Sequence, residues 1–250
     1  MVDNMWAIGL HWYGFWIALG VAVWFLLVMS DVRVRALISK DQIINLLNAS
    51  IIGGLVGGRL LHVAVNWHDY AQWVEVLALW QGGLSVLGSI MGVLLVVWGF
   101  SWRNHVALLP LLDSIIVYAP LAQAFGRVGC FSAGCCYGCP TSCLIGVPVC
   151  IEGAYGMVHP VQLYNVALLV ALFLIVRVLT FFPLPAGMIT GVALLGLFII
   201  RFVTDFWRGD REWLNVLPWL SVHQWVSLVG ILFCAGGVLW FWLRRQREVV

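Results

Sequence analysis

Arg201, Asp205 and Arg208 recur at positions i, i+4 and i+7, a spacing that sets three side chains on one stripe of a helix. Two cations flank one anion, so the stripe keeps net positive charge. A guanidinium presents a planar fork of donors that fits two oxygens of a phosphate, and the stripe is therefore a candidate for holding an anionic headgroup. Arg127, inside the string Gly126-Arg127-Val128-Gly129, supplies a second fork. Its flanking glycines let a ligand or another backbone come close.

Thiols are the second chemistry on offer. Six of the seven cysteines, Cys130, Cys135, Cys136, Cys139, Cys143 and Cys150, are crowded between positions 130 and 150. Three readings fit them. Disulfides would staple the segment, with 15 possible pairings of six cysteines. Metal ligation is the second, although C-x4-C-C-x2-C lacks the paired C-x2-C hooks of a zinc ribbon. The third is thiol reactivity, because Cys130 and Cys135 fall close to arginine and positive charge favours a thiolate. No residue is assigned as a metal ligand and no cofactor is expected. Cys234 stands alone in a late apolar run and reads as a small packing residue. His62 and His159 flank apolar runs, as packing residues or as groups able to assist a thiol; His159, which opens a helix beside the cysteine-rich segment, is the better placed.

The elements that must position these groups are set by composition. The chain of 250 residues is 63% hydrophobic and only 10% charged, which excludes an ordinary water-soluble domain. Aromatics make up 14%, with 15 Trp, a content suited to anchoring at a membrane interface. A net charge of +2 without a basic tract gives no nucleic-acid surface. Seven apolar stretches, near 8–29, 43–65, 83–100, 106–127, 161–180, 187–206 and 222–243, are each close to the ~20 residues needed to span a bilayer. The expected architecture is all-α: a polytopic membrane protein with about seven transmembrane helices in one bundle. Residues 1–250 form a single domain, with small caps from the connections 66–82 and 128–160. The N-terminus lacks the order of a signal peptide, so the first apolar run is expected to remain as a helix.

Lys and Arg placement gives the orientation. Arg33, Arg35, Lys40, Arg103, Arg177, Arg244, Arg245 and Arg247 fall on one side, whereas 66–82 and 128–160 contain neither residue type. The C-terminus is thus expected in the cytoplasm, with the N-terminus and both connections outside. Arg208 and Arg211 break this rule on the outer side, which points to function rather than topology. Ionisable groups within or beside the spans are Arg59, Asp113, Arg127, Arg177, Arg201 and Asp205; such groups normally face the protein interior and have partners. Arg177, near a cytoplasmic end, can snorkel.

Read in order, the strings WYG around Tyr13, GGRLLH (57–62), GGLSVLGS (82–89), Asp113 with Ala119-Pro120 and GRVG (126–129), HPVQLY (159–164), RF..DFWR.D (201–210) and Leu220-Ser221 with Gln224 resemble the prolipoprotein diacylglyceryl transferase family. The likeness runs over nearly the whole chain. It implies an enzyme of the bacterial inner membrane that moves the diacylglyceryl group of phosphatidylglycerol, or a related anionic phospholipid, to the lipobox cysteine thiol of a preprolipoprotein, releasing glycerol phosphate. It also implies that Arg127 and Arg201 hold the phosphate, and that Tyr13, Asp113, Gln162, Asp205 and Arg208 line or support the site.

That chemistry needs cations against the charge developing on the leaving oxygens and a means of removing the thiol proton, whose free pKa is about 8.5. The arginines meet the first need; His159 or a lipid phosphate oxygen is the candidate for the second. The chain departs from the family pattern at Leu87, where a histidine is usual, at Leu197 for a tyrosine, at Cys130 for an asparagine, and at Cys135 and Asn165 for glutamates. These departures keep a different class open: a relative that handles thiol redox chemistry or metals through its cysteines. A transporter or anion-binding partner subunit is the remaining alternative, without any evident inverted repeat to support it.

Overall fold

The computed structural model describes residues 3–70, 76, 83–151, 154–209, 211, 213–214 and 217–249. Helices dominate them: α1 (Asp3–Ser30), α2 (Val32–Leu37), α3 (Lys40–Val65), α4 (Val86–Arg103), α5 (Leu108–Ile115), α6 (Ala119–Ser132), α7 (Val161–Leu179), α8 (Met188–Thr204) and α9 (Val222–Val249). Six segments are long and apolar enough to cross a membrane, and Leu87–Arg103 is a shorter apolar helix beside them. The chain is thus a polytopic all-α membrane protein of about seven spans, as its hydropathy requires. Exposed side chains such as Leu60, Leu95, Val226, Val229 and Phe233 present the apolar surface that lipid demands.

The helices pack as two compact units, Val28–Ser114 and the combination of Met1–Leu27 with Ile115–Val250. In the first unit, α3 lies against α4 through glycines. A β-carbon on Gly92 would run into the Gly53 carbonyl, and one on Gly88 into that of Gly57. Lipid tails give helices no hydrophobic reason to associate, so close backbone approach at small residues provides the packing. Ser39 begins α3 with a reciprocal capping box to Gln42, satisfying two otherwise orphan donors.

Arg59, buried on α3, donates to the carbonyls of Val76 at 2.8 Å and Gly83 at 3.1 Å, and its guanidinium stands 5.3 Å from the centre of the Tyr70 ring. This arginine therefore holds the connection that follows its own helix. His62 is engaged locally, its Nδ1 lying 3.3 Å from the Asn66 amide nitrogen. Most of the connection at 66–82 lies outside the described residues.

In the second unit, α6 packs on α7, α7 on α8 and α8 on α9. Between α5 and α6 the helix tightens to a 3-10 turn at Ile116–Tyr118, closed by the Ala119 N–H on the Ile116 carbonyl. Pro120 follows, and its missing N–H explains why the regular helical ladder stops and restarts there. Toward α7 the chain forms an antiparallel hairpin, β1 (Val147–Ile151) with β2 (Ala154–Val158); a smaller one joins β3 (Trp213–Leu214) and β4 (Leu217–Ser221) before α9. The connection expected from 128 begins after Ser132, because α6 runs on to that residue. Arg177, in the last turn of α7, donates to Thr180 Oγ1 at 2.7 Å and lies 5.1 Å from the Phe181 ring centre.

Candidate functional site

The end of α6 assembles the thiols. Gly134 adopts φ +67, a left-handed conformation that costs glycine nothing. Its N–H reaches the Phe131 carbonyl at 3.1 Å while the Cys135 N–H reaches back to the Cys130 carbonyl at 3.1 Å. These are the two bonds of a Schellman motif, which turns the chain sharply past a helix end. The turn lays Cys135 and Cys136 over Cys130, so that the three sulfurs lie within 4.8 Å of one another. The Cys135 and Cys136 sulfurs are 3.6 Å apart. Cys136 itself has φ +60, an uncommon conformation for a residue with a β-carbon.

Gln162, buried at the start of α7, clamps this turn by donating to the Cys135 carbonyl at 2.6 Å. Its Oε1 is buried without a hydrogen-bond partner, leaving an acceptor ready for a donor. Tyr13 and Trp16 of α1 lie over Gly129, where a β-carbon would stand 3.2 Å from Tyr13 Cδ2. Arg127, two residues earlier on α6, is half-buried. Among the described residues it has neither hydrogen bond nor ion pair.

Hydrogen bonds from the Cys130 and Cys135 thiols pull the Cys136 thiol well below the ordinary thiol range, aided by the positive charges of Arg208 and Arg127. The same sulfur contacts push Cys135 far up, with burial acting in the same direction. The charges of two arginines, from separate elements, thus meet at Cys136.

The arginine stripe is rearranged. Arg201 and Asp205 remain neighbours, with Nη2 3.6 Å from Oδ1, but Arg208 does not continue their helical stripe. Regular helix ends at Thr204, residues Asp205–Trp207 form a 3-10 turn, and Arg208 is extended at ψ 141. The tighter turn ends the 3.6-residue period on which the i+7 placement depends. Arg208 instead bridges to Gly138, at the cysteine-rich segment. Arg211 takes the second place at the carboxylate, its Nε 3.9 Å from Asp205 Oδ2. Asp205 is 1% exposed and also accepts from the Ser221 hydroxyl.

Ser221 and Gln224 begin α9 as a capping box: the Gln224 N–H donates to Ser221 Oγ at 3.1 Å and the Ser221 N–H to Gln224 Oε1 at 3.0 Å. Arg211 donates to the same Oε1 at 3.0 Å. The sequence pattern S-x-x-Q carries this signal, and Arg211 stands out by violating the charge rule. The sequence marks both, and the fold joins Ser221 and Arg211 to Asp205.

His159 precedes α7 and is strapped to the cysteine segment. Its N–H donates to the Cys139 carbonyl at 3.1 Å and its carbonyl accepts from the Gly138 N–H at 2.9 Å, while the Cys139 N–H binds the Trp207 carbonyl at 2.8 Å. Its ring Nδ1 lies 3.0 Å from the Tyr164 hydroxyl, and Tyr164 meets Trp207 edge to face. Asn165 and Thr204 link α7 to α8 at 3.4 Å. Asp113 is buried on α5, in the other compact unit. Cys130, Cys135, Cys136, Cys139, Cys143 and Cys234 are free thiols, with Cys143 exposed and Cys234 buried. The side chain of Cys150 and the whole of Asp210 lie outside the described residues.

Positive charge from Arg127 and Arg208 on Cys136, at the end of an apolar helix long enough to cross a membrane, belongs to a membrane protein with a partly buried cationic region. The chain belongs to the prolipoprotein diacylglyceryl transferase family, whose sequence profile matches residues 3–242. It is 30% identical to the phosphatidylglycerol–prolipoprotein diacylglyceryl transferase of Clostridium tetani, covering 98% of this chain and 97% of the relative. The enzyme of the same name from Pseudomonas fluorescens is 31% identical, over 95% of this chain and 91% of the relative. That of Neisseria gonorrhoeae is 30% identical, over 92% and 93%.

Proposed function

We propose that this protein transfers the diacylglyceryl group of phosphatidylglycerol, or of a related anionic phospholipid, to the cysteine thiol of a preprolipoprotein lipobox. One observation carries the reading: the half-buried Arg127 guanidinium has no protein partner among the described residues and shares its positive field with Arg208. A cation kept within a membrane protein without an acid is suited to an incoming anion. The names of the relatives specify phosphatidylglycerol and prolipoprotein, and supply the two substrates. Family membership supports this transferase over a thiol-redox or metal-handling activity in its place.

In the proposed reaction the lipobox sulfur attacks the terminal glycerol carbon of the diacylglyceryl group. A carbon–sulfur bond forms as the carbon–oxygen bond to the phosphate breaks, and glycerol phosphate leaves with the electron pair. Arg127, Arg201 and Arg208 stabilise the charge gathering on the leaving oxygens. Asp205 keeps Arg201 in place, and Tyr13 and Gln162 line or support the site. The thiol proton passes to His159, whose Nε2 is the base in the tautomer that keeps the ring proton on Nδ1 facing the Tyr164 hydroxyl oxygen, or to a phosphate oxygen of the lipid. The lipid reaches the site sideways from the bilayer, since its two chains cannot cross water cheaply.

The proposed setting is the bacterial inner membrane, with the N-terminus outside, the C-terminus cytoplasmic, and 66–82 and 128–160 as extracytoplasmic caps of one transmembrane domain. Absence of Lys and Arg from both connections supports that orientation. Purified protein given phosphatidylglycerol vesicles and a lipobox peptide should release glycerol phosphate and add the mass of a diacylglyceryl group to the peptide. Absence of both products from folded protein would overturn the reading.

A further inference from the structure

We propose that Cys130, Cys135 and Cys136 form a binding site for one thiophilic metal ion, of the class of Cu(I), beside the proposed lipid site. The inference goes beyond diacylglyceryl transfer and does not rest on it, because metal binding is read without any turnover.

Geometry supports the assignment. Three thiolates in a trigonal plane at about 2.3 Å from a common ion stand roughly 4.0 Å apart; here all three sulfurs lie within 4.8 Å and one pair is at 3.6 Å. Only small shifts separate this arrangement from coordination. The arrangement is held before any ion arrives, by the two Schellman hydrogen bonds at the end of α6 and by the Gln162 amide on the Cys135 carbonyl. Preorganisation of this kind lowers the ordering cost of binding.

Ligand type selects the ion. All three donors are sulfur, the softest protein ligand, which favours Cu(I) over hard cations such as magnesium or calcium. Three thiolates around a monovalent ion leave two negative charges. Arg127 and Arg208 supply positive charge at this place, so the complex is balanced electrostatically within a partly buried environment. Cys139 and Cys143 belong to the strap and the exposed segment beyond it, outside the triad, and provide internal controls.

The test uses the full chain, purified in detergent under reducing, anaerobic conditions and titrated with Cu(I) against a chromogenic chelator. The expected result is one Cu(I) retained per chain, with X-ray absorption showing three sulfur neighbours at about 2.3 Å. Cys136→Ser should weaken retention at least tenfold, whereas Cys143→Ser should leave it unchanged. Because a serine at buried Cys130 could impair folding, the sulfur count on the unaltered protein provides the readout independent of substitution. Failure of the folded protein to hold Cu(I) against the chelator, retention unaffected by Cys136→Ser, or a sulfur count below three would overturn the proposal. So would alkylation and intact-mass analysis of native membranes showing two of the three cysteines joined in a disulfide. Transferase activity, measured separately, distinguishes failure here from failure of the lipid-transfer reading.

Discussion

Ser221 donates its hydroxyl to Asp205, so the carboxylate facing two arginines is fixed by the first residue before another helix. The arginines lie at 3.6 and 3.9 Å, distances of ion pairs rather than tight hydrogen bonds. The short-range restraint on Asp205 therefore comes from serine. Ser221→Ala removes both that bond and the cap of α9, at about 1–2 kcal/mol. Asp205→Ala leaves Arg201 and Arg211 without their shared counter-charge and should cost more, about 3 kcal/mol, even though both arginines are partly solvated. Thermal unfolding in detergent should order the proteins as unaltered, Ser221→Ala, then Asp205→Ala; the reverse order would remove Asp205 from the centre of the network.

Arg127 has a different environment, and its replacement should have a different signature. Its loss breaks no hydrogen bond or ion pair among the described residues and should leave the unfolding temperature within a degree or two. Glycerol phosphate release should nevertheless fall about 10²- to 10³-fold in Arg127→Ala, the scale associated with loss of one donor at a developing oxyanion. Arg127→Lys should recover only part of the rate, because an ammonium lacks the bidentate fork. Arg103→Ala, at the last turn of α4, serves as the comparison. Equal losses at Arg103 and Arg127 would argue against a localised clamp.

The Tyr164 hydroxyl at His159 Nδ1 separates orientation from proton transfer. If His159 is the base, His159→Ala should lower turnover by about 10²- to 10⁴-fold, with little effect on binding of phosphatidylglycerol. Tyr164→Phe retains the imidazole but frees its ring, and should give a smaller loss. Undiminished turnover in His159→Ala would assign the proton to the lipid phosphate instead.

The spans were legible because a stretch such as 161–180 is apolar at most positions, and its helix begins at Val161 and ends at Leu179. Arg208 was legible as a site candidate but not in its placement, since uninterrupted i, i+7 spacing assumes a helix that in fact tightens after Thr204. The clustering of cysteines was visible, whereas the choice of Cys130, Cys135 and Cys136 as neighbours depends on a left-handed Gly134. That backbone state is compatible with glycine but not dictated by it. The contact between His159 and Tyr164 was hidden for a related reason: it forms where the chain turns into α7 at Pro160, outside any regular period.

Packing of α3 on α4 gives a test with an internal contrast on one helix. At Gly92 a β-carbon would meet the Gly53 carbonyl oxygen and lie 3.2 Å from Gly57 Cα, whereas at Gly99 it would find nothing within 4 Å. Gly92→Ala must force the two backbones apart, and overpacking of this kind costs about 1–3 kcal/mol. Gly99→Ala adds a methyl in open space and removes glycine's conformational penalty in a helix, a gain of up to about 1 kcal/mol in water that lipid contact reduces. Thermal unfolding in the same detergent should therefore move down for the first substitution and stay level or rise for the second. Equal behaviour at the two positions would mean that α3 and α4 are not held by close backbone contact.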